Sequence, residues 1–242
     1  MISYLVCATH RSGSNLLCQA LWHTDLCGRP QEFFSPTRAE KIAAEHGLAA
    51  DPTVDYAGYV AELIGKRSTE NGVFGGKIMW AHLEPLVGRI GRAGERPSEV
   101  LSHMLPNIRY LWVRRDDKLR QAISMWKAKQ TKIYNSLQEG EREAAGEPVF
   151  DFDEIRKAKE RFEREDLQWE QFFTDSGIAP VEVQYEIFAE NYEEGVAAIL
   201  AAFGISTPDG FAVKPLTYKK LADATNEAWR ERYLDVEASA SA

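Results

Sequence analysis

Ile2-Ser-Tyr-Leu-Val-Cys-Ala8 runs straight into Thr9-His-Arg-Ser-Gly-Ser-Asn15, and the join between the two decides the fold. This seven-residue stretch is rich in apolar, aromatic and β-branched residues and too short for a helix, so it reads as a buried strand. The following residues are small or polar and make a turn. From Asn15 the spacing changes: Leu16, Leu17, Ala20 and Leu21 share one helical face, and the helix is expected to end before Cys27-Gly28. Strand, small-residue turn and helix form the opening unit of an α/β sheet, whose ligands bind at the carboxyl ends of its strands.

The same alternation continues outward from that unit. Pro30 to Pro36 is a loop, Thr37-Arg-Ala-Glu40 reads as a capping box opening a helix to about Gly47, and a second helix covers Tyr56 to Arg67. Val73 to Trp80 reads as a strand whose paired glycines, Gly75 and Gly76, mark a close backbone approach. Ile108 to Val113 is a strand and Lys118 to about Ile133 the helix after it. Residues 136–149 read as an exposed loop. Phe152 to Phe173 is a long helix with Ile155, Phe162, Leu167, Trp169 and Phe172 available for a buried stripe. Val181 to Tyr185 is a strand, and Asn191 to Phe203 a helix stopped by Gly204. The pattern predicts an α/β fold, a parallel sheet flanked by helices on both faces, in a single domain over residues 1–242, with residues 236–242 a disordered tail.

Composition narrows the partners. With 37 acidic against 29 basic residues the formal charge is −8, so the chain carries no overall field for polyanions, and nucleic acid and anionic membranes are disfavoured. Cys7, Cys18 and Cys27 form no CxxC pair and lie in or near apolar runs, as core residues of a reducing compartment do. The five histidines make no HExxH or HxxxH spacing, so no metal is expected. The N-terminal apolar run is too short for a signal peptide or a membrane span, and no later run approaches eighteen residues. The expectation is a soluble, cytoplasmic protein with no membrane span.

Three constellations carry chemistry. The turn Thr9 to Asn15 offers small residues whose amides can curl round an anion, the positive end of the following helix, and Arg11; an ordinary βα turn is an equal reading on placement alone. No GxxxxGK[ST] or GxGxxG is present, so nucleotide binding without a P-loop magnesium site is the narrower implication. Between Arg109 and Lys132 eight basic residues stand against Asp116 and Asp117, a local +6. A solvated helix face is the usual reading of such a run. Arg114 and Arg115, however, follow a buried strand, and with a hydroxyl two turns up the helix they suit a second phosphate. In Pro30-Gln-Glu-Phe-Phe34, Glu32 between aromatic neighbours is a candidate base, a surface glutamate being the commoner case.

Together with Phe74-Gly-Gly-Lys-Ile-Met-Trp80, Gln121-Ala-Ile-Ser124, and Ala222-Asp223 with Glu227-Ala-Trp229, these stretches resemble a PAPS-dependent sulfotransferase of the bacterial trehalose 2-sulfotransferase-like family over nearly the whole chain. The resemblance implies a P-loop-NTPase-like sheet. It places the 5′-phosphosulfate of PAPS on Arg11, Ser12, Gly13, Ser14 and Asn15, the 3′-phosphate on Arg115 and Ser124, and the adenine near Tyr185, with Lys220 closing over the nucleotide. Glu32 matches the family's general base. Gln31, Glu32, Phe33 and Trp80 are then the acceptor-side residues, the two aromatic rings offering faces to a sugar. Asn15 stands where relatives often carry threonine and His10 where they carry glutamine.

The implied chemistry is an in-line displacement: Glu32 takes the proton of an acceptor hydroxyl while Arg11, the turn amides and Lys77 stabilise the departing PAP, with no metal required. The acceptor would be a sugar, a glycolipid precursor or a similar small metabolite, and the resemblance leaves room for a homodimer. Two other readings stay open, a magnesium-dependent nucleotide or small-molecule kinase of similar topology and a non-catalytic nucleotide-binding protein.

Overall fold

β1 (Ile2–Ala8) lies inside a four-stranded parallel sheet with β2 (Val73–Met79), β3 (Ile108–Arg114) and β4 (Val181–Gln184), in the order β2-β1-β3-β4. The computed structural model describes residues 1–91, 94–134, 147–217 and 223–240. From β1 the chain moves first to β2 on one side and then to β3 on the other, so the order reverses at β1, where α/β sheets open a ligand crevice at their carboxyl ends.

Strand alternation feeds two cores from one sheet. Leu5, Cys7, Phe74, Ile78, Tyr110 and Trp112 face one side. They pack under α2 (Ala39–Glu45), α3 (Tyr56–Arg67), α4 (Trp80–Ile90), α5 (Pro97–Met104) and α7 (Phe152–Asp175). Tyr4, Val6, Ala8, Leu111 and Val113 face the other, under α1 (Ser14–Trp22), α8 (Tyr185–Glu190) and α9 (Tyr192–Phe203). A third apolar cluster joins α6 (Lys118–Thr131), α7 and α10 (Ala224–Ala240). The expected architecture, one parallel sheet with helices on both faces, is what the chain builds. All three cysteines are free and buried, and their thiols are pushed up by burial, Cys18 to about 11 and Cys27 to about 12.

Several local expectations change. Thr37 does not cap α2, whose N-cap is Arg38 with no side-chain bond; the Thr37 hydroxyl instead lies 3.4 Å from that of Ser35. A capping box forms at α5, where the Glu99 carboxylate accepts from the Arg96 amide at 2.9 Å. Leu167 is 64% exposed, so the buried stripe of α7 runs through Ile155, Phe162, Trp169 and Phe172 without it. The glycine pair of β2 also makes room for side chains: a Cβ on Gly75 would meet the Tyr4 hydroxyl at 2.4 Å and one on Gly76 the Phe34 ring at 2.7 Å. Residues 236–240, expected as a tail, continue α10, whose Trp229 and Tyr233 are buried against α6 and α7. Most of the loop expected at 136–149 lies outside the described residues.

Acidic residues on α7 and at the start of α10 pair with three of the eight basic residues between Arg109 and Lys132. Lys118 pairs with Asp166 at 2.5 Å, Lys127 with Asp223 at 2.6 Å and Arg120 with Glu227 at 2.6 Å. Asp223, Glu227 and Trp229 thus clamp α10 onto α6. Arg114 pairs with Glu182 at 3.5 Å, and among these residues Arg115 is the one directed to the turn after β1.

Candidate active site

The turn after β1 is shaped by two residues in the left-handed region, Arg11 at φ +65° and Gly13 at φ +89°. Alternation of backbone handedness in a short turn points successive amides inward, and no side chain caps α1, which begins at Ser14. Gly13 is the residue the site requires: a Cβ there would lie 2.0 Å from the Tyr185 ring, which sits directly on the turn. The Arg115 guanidinium lies 4.9 Å from the centre of the same ring and donates to the Arg11 carbonyl at 3.2 Å. Arg11 donates through Nε to Ser124 Oγ at 2.9 Å and through Nη1 to the Tyr134 carbonyl. Gln121, fully buried on α6, fastens the turn by donating to Thr9 Oγ1 at 2.8 Å and to the His10 carbonyl at 2.7 Å. Trp169 of α7 donates to the Ala8 carbonyl at 3.1 Å, immediately before the turn.

Two guanidiniums packed this closely need a counter-charge. Burial, with Arg115 beside it, brings Arg11 down to about 10, and burial lowers Arg115 as well. Ser12 Oγ and Arg115 Nε are buried without hydrogen-bond partners, although Glu186 approaches Arg115 Nε at 4.0 Å. Unpaired donors and crowded positive charge are what an anionic ligand with several oxygens would satisfy.

Glu32 reaches the same end of the sheet by a route that sequence spacing does not reveal. Residues 27–34 lie along the outer edge of β2: the Lys77 amide donates to the Gln31 carbonyl at 2.8 Å, and Gly28, at φ +65°, comes so close that a Cβ would meet the Gly75 nitrogen at 2.8 Å. The Glu32 carboxylate then lies 3.5 Å from Lys77 Nζ and 3.2 Å from His82 Nδ1, in the first turn of α4. Lys77 is 5% exposed and also donates to Asn15 Oδ1 at 2.7 Å, so a buried ammonium links the base candidate to the phosphate turn. Burial pushes the Glu32 carboxyl up, but contact with His82 and the charge of Lys77 outweigh it and hold the group at about 2.

His10 stands edge-on to His82, ring centres 5.9 Å apart. Burial brings its imidazole down to about 4; the pull of Glu32 opposes this, and the positive charge of Arg161 adds to it. The unfolded chain therefore binds one more proton than the native one between about pH 6.5 and 4, and stability falls as pH drops through that window. Urea unfolding at pH 7 and pH 4.5 should show this as a loss of about 2 kcal/mol that His10→Gln removes. An unchanged slope in the variant contradicts the buried neutral imidazole.

The donor atoms of His10, Glu32 and His82 lie within 4.8 Å of one another, a convergence that the spacing of the histidines hides. The ammonium of Lys77 beside the same carboxylate opposes a divalent cation there, and the three groups fit proton transfer better.

The acceptor-side expectations fare differently. Phe33 is 0% exposed, packed on Phe34, Phe74 and His46, with its carbonyl accepting from Tyr59 at 2.8 Å; it is a core residue and has no face for a sugar. Trp80 is half-buried, edge-on to Trp169 at 4.9 Å, and Gln31 contributes its backbone to the β2 edge. Lys220 lies outside the described residues. Sequence reasoning missed His82, whose only signal is its place in the first turn of a helix after a strand's carboxyl end.

The family model for Stf0 sulphotransferase matches residues 3–235. The trehalose 2-sulfotransferase of Mycolicibacterium smegmatis (strain ATCC 700084 / mc(2)155) is 30% identical over 261 residues, covering 96% of this chain and 94% of that protein. The trehalose 2-sulfotransferase of Mycobacterium tuberculosis (strain ATCC 35801 / TMC 107 / Erdman) is 26% identical over 260 residues, covering 95% and 93%. Among solved structures, a sulfotransferase from Alicyclobacillus acidocaldarius is similar at TM-score 0.48 and 15% identity, covering 97% of this chain and 92% of that one. The sulfotransferase domain of the curacin biosynthetic pathway is similar at TM-score 0.49 and 15% identity, covering 94% and 82%.

Proposed function

Because this chain belongs to the Stf0 sulphotransferase family, we propose that it moves a sulfuryl group from PAPS to a hydroxyl of a carbohydrate or similar small metabolite, releasing PAP. One observation carries the donor side of this reading: Arg11 and Arg115 crowd the turn after β1 with buried donors unpaired, beside the Glu32 carboxylate. Arg11, Ser12, Gly13, Ser14 and Asn15 would hold the 5′-phosphosulfate, and Arg115 with Ser124 the 3′-phosphate. Tyr185 roofs the turn, and Lys77, already bound to Asn15, would meet charge developing on the leaving oxygen. Glu32, with the imidazole against it, forms the pair that serves the acceptor hydroxyl as its general base. The two trehalose sulfotransferase relatives favour a sugar as acceptor.

No helix among the described residues is long and apolar enough to cross a membrane, and three buried free thiols fit a reducing compartment such as the cytoplasm.

The test is selective stabilisation combined with transfer. PAP at about 100 times its dissociation constant should raise Tm by about 5–10 °C, ATP with magnesium should not, and labelled PAPS should pass its sulfuryl group to a sugar in an acceptor panel. Stabilisation by ATP with magnesium instead, with phosphate transfer, overturns the reading in favour of a kinase. PAP binding without transfer to any acceptor leaves a nucleotide-binding protein.

A further inference from the structure

His82 is a titratable group at this site that neither composition nor motif brought forward. We infer that the proton of the acceptor hydroxyl goes to His82 Nε2, and that Glu32 is the carboxylate that holds the other ring nitrogen. This rests on the sulfuryl-transfer reading above and assigns the atom at which its base acts.

The geometry sets the tautomer. His82 Nδ1 is buried, has no partner at hydrogen-bond angles, and lies 3.2 Å from Glu32 Oε1. A bare nitrogen lone pair against an ionised carboxylate oxygen is repulsive, so Nδ1 carries the hydrogen and Nε2 the free lone pair. The side chain is 18% exposed, and with Nδ1 buried that exposure lies on the rest of the ring, which includes Nε2. Glu32, with Lys77 on one oxygen and His82 on the other, stays ionised far below neutral pH. A carboxylate so weakly basic takes little share of a proton in a transition state, whereas fixed behind an imidazole it stabilises the imidazolium that forms.

The charged and titratable groups around His82 are consistent with that division. His10 comes from the turn after β1, Lys77 from β2, Glu32 from the loop along β2, and Glu165 from α7, whose carboxyl is pushed up by burial. Arg161, also on α7, acts on His10 and lies 3.5 Å from Glu165. His10, held neutral, leaves His82 as the imidazole paired with the carboxylate.

The step balances. As the acceptor oxygen bonds to sulfur, its proton passes to His82 Nε2; the bond from sulfur to the 5′-phosphate oxygen breaks, and its electron pair leaves with PAP. The imidazolium then returns its proton to water. No oxidant, reductant or metal enters.

Three measurements on the full chain decide it. His82→Ala should lower turnover about 10²–10⁴-fold with PAP affinity within about threefold of wild type. Added imidazole should restore turnover in that variant on the order of tenfold and do nothing for Glu32→Gln. Nitrogen-15 NMR of the ligand-free protein should find His82 protonated at Nδ1 and not at Nε2, a pairing lost in Glu32→Gln. Turnover of His82→Ala within about threefold of wild type overturns the inference and makes Glu32 itself the base. A loss that imidazole does not restore makes His82 a structural support and overturns it too, as does the opposite tautomer. The failure of the broader reading looks different, since wild type itself would then transfer no sulfuryl group, and the tautomer measurement still decides the Glu32–His82 pairing.

Discussion

Glu32→Gln should lower turnover about 10³–10⁴-fold while the dissociation constant for PAP stays within about twofold of wild type. The two effects separate because Glu32 touches the basic machinery and not the nucleotide turn: its oxygens face His82 and Lys77 at 3.2 and 3.5 Å. An amide keeps the shape but presents either an N–H to His82 Nδ1, which favours the wrong tautomer, or a neutral oxygen that no longer stabilises an imidazolium. Removing a negative charge beside an anionic donor cannot weaken the donor electrostatically. Lys77 keeps its bond to Asn15 Oδ1 at 2.7 Å, so the buried ammonium retains a partner and the fold should survive. Isothermal titration with PAP and initial rates at saturating PAPS are the measurements. A large loss of affinity, or turnover within tenfold of wild type, contradicts the assignment.

What could be read from sequence was what local pattern controls. β1 and its turn announce themselves because a seven-residue stretch, apolar but for Ser3, ends abruptly in small and polar residues, and α3 matches its expected bounds because Asp55, accepting from the Gly58 amide at 2.8 Å, caps an amphipathic run. α4 escaped because Pro85 and Gly88 interrupt the helical period that would reveal it, and α5 because eight residues carry too little of that period. With α4 went His82. Its meeting with Glu32 depends on the loop 27–34 lying along the β2 edge, a contact made by the Lys77 amide and the positive-φ Gly28, 49 residues apart in sequence. Phe33 failed for the opposite reason: an aromatic residue in a loop looks available to a ligand, but here the loop is itself laid onto the core. The +6 segment was visible as charge, yet its neutralisation by Asp166, Asp223 and Glu227 is tertiary, and that leaves Arg115 as its contribution to the site.

Arg115→Ala should raise the dissociation constant for PAP about 10–100-fold, the range of a lost charge-assisted contact to a phosphate. The guanidinium also does structural work: it lies over the Tyr185 ring and donates to the Arg11 carbonyl, and the ring in turn sits on Gly13. Loss of affinity alone would therefore not separate a phosphate contact from a loosened roof over the turn. Adenosine 5′-phosphate, which lacks the 3′-phosphate, makes the distinction. If Arg115 binds the 3′-phosphate, the variant loses affinity for the bisphosphate and keeps it for the monophosphate within about twofold, so the preference between the two ligands collapses. A loosened roof would weaken both ligands alike. Equal weakening thus contradicts the 3′-phosphate role and leaves Arg115 as the residue that holds Tyr185 on the turn, while unchanged binding of PAP removes Arg115 from the nucleotide site altogether. Tyr185→Phe keeps the ring on Gly13 and should leave both affinities within about threefold, so any larger effect in Arg115→Ala belongs to the guanidinium.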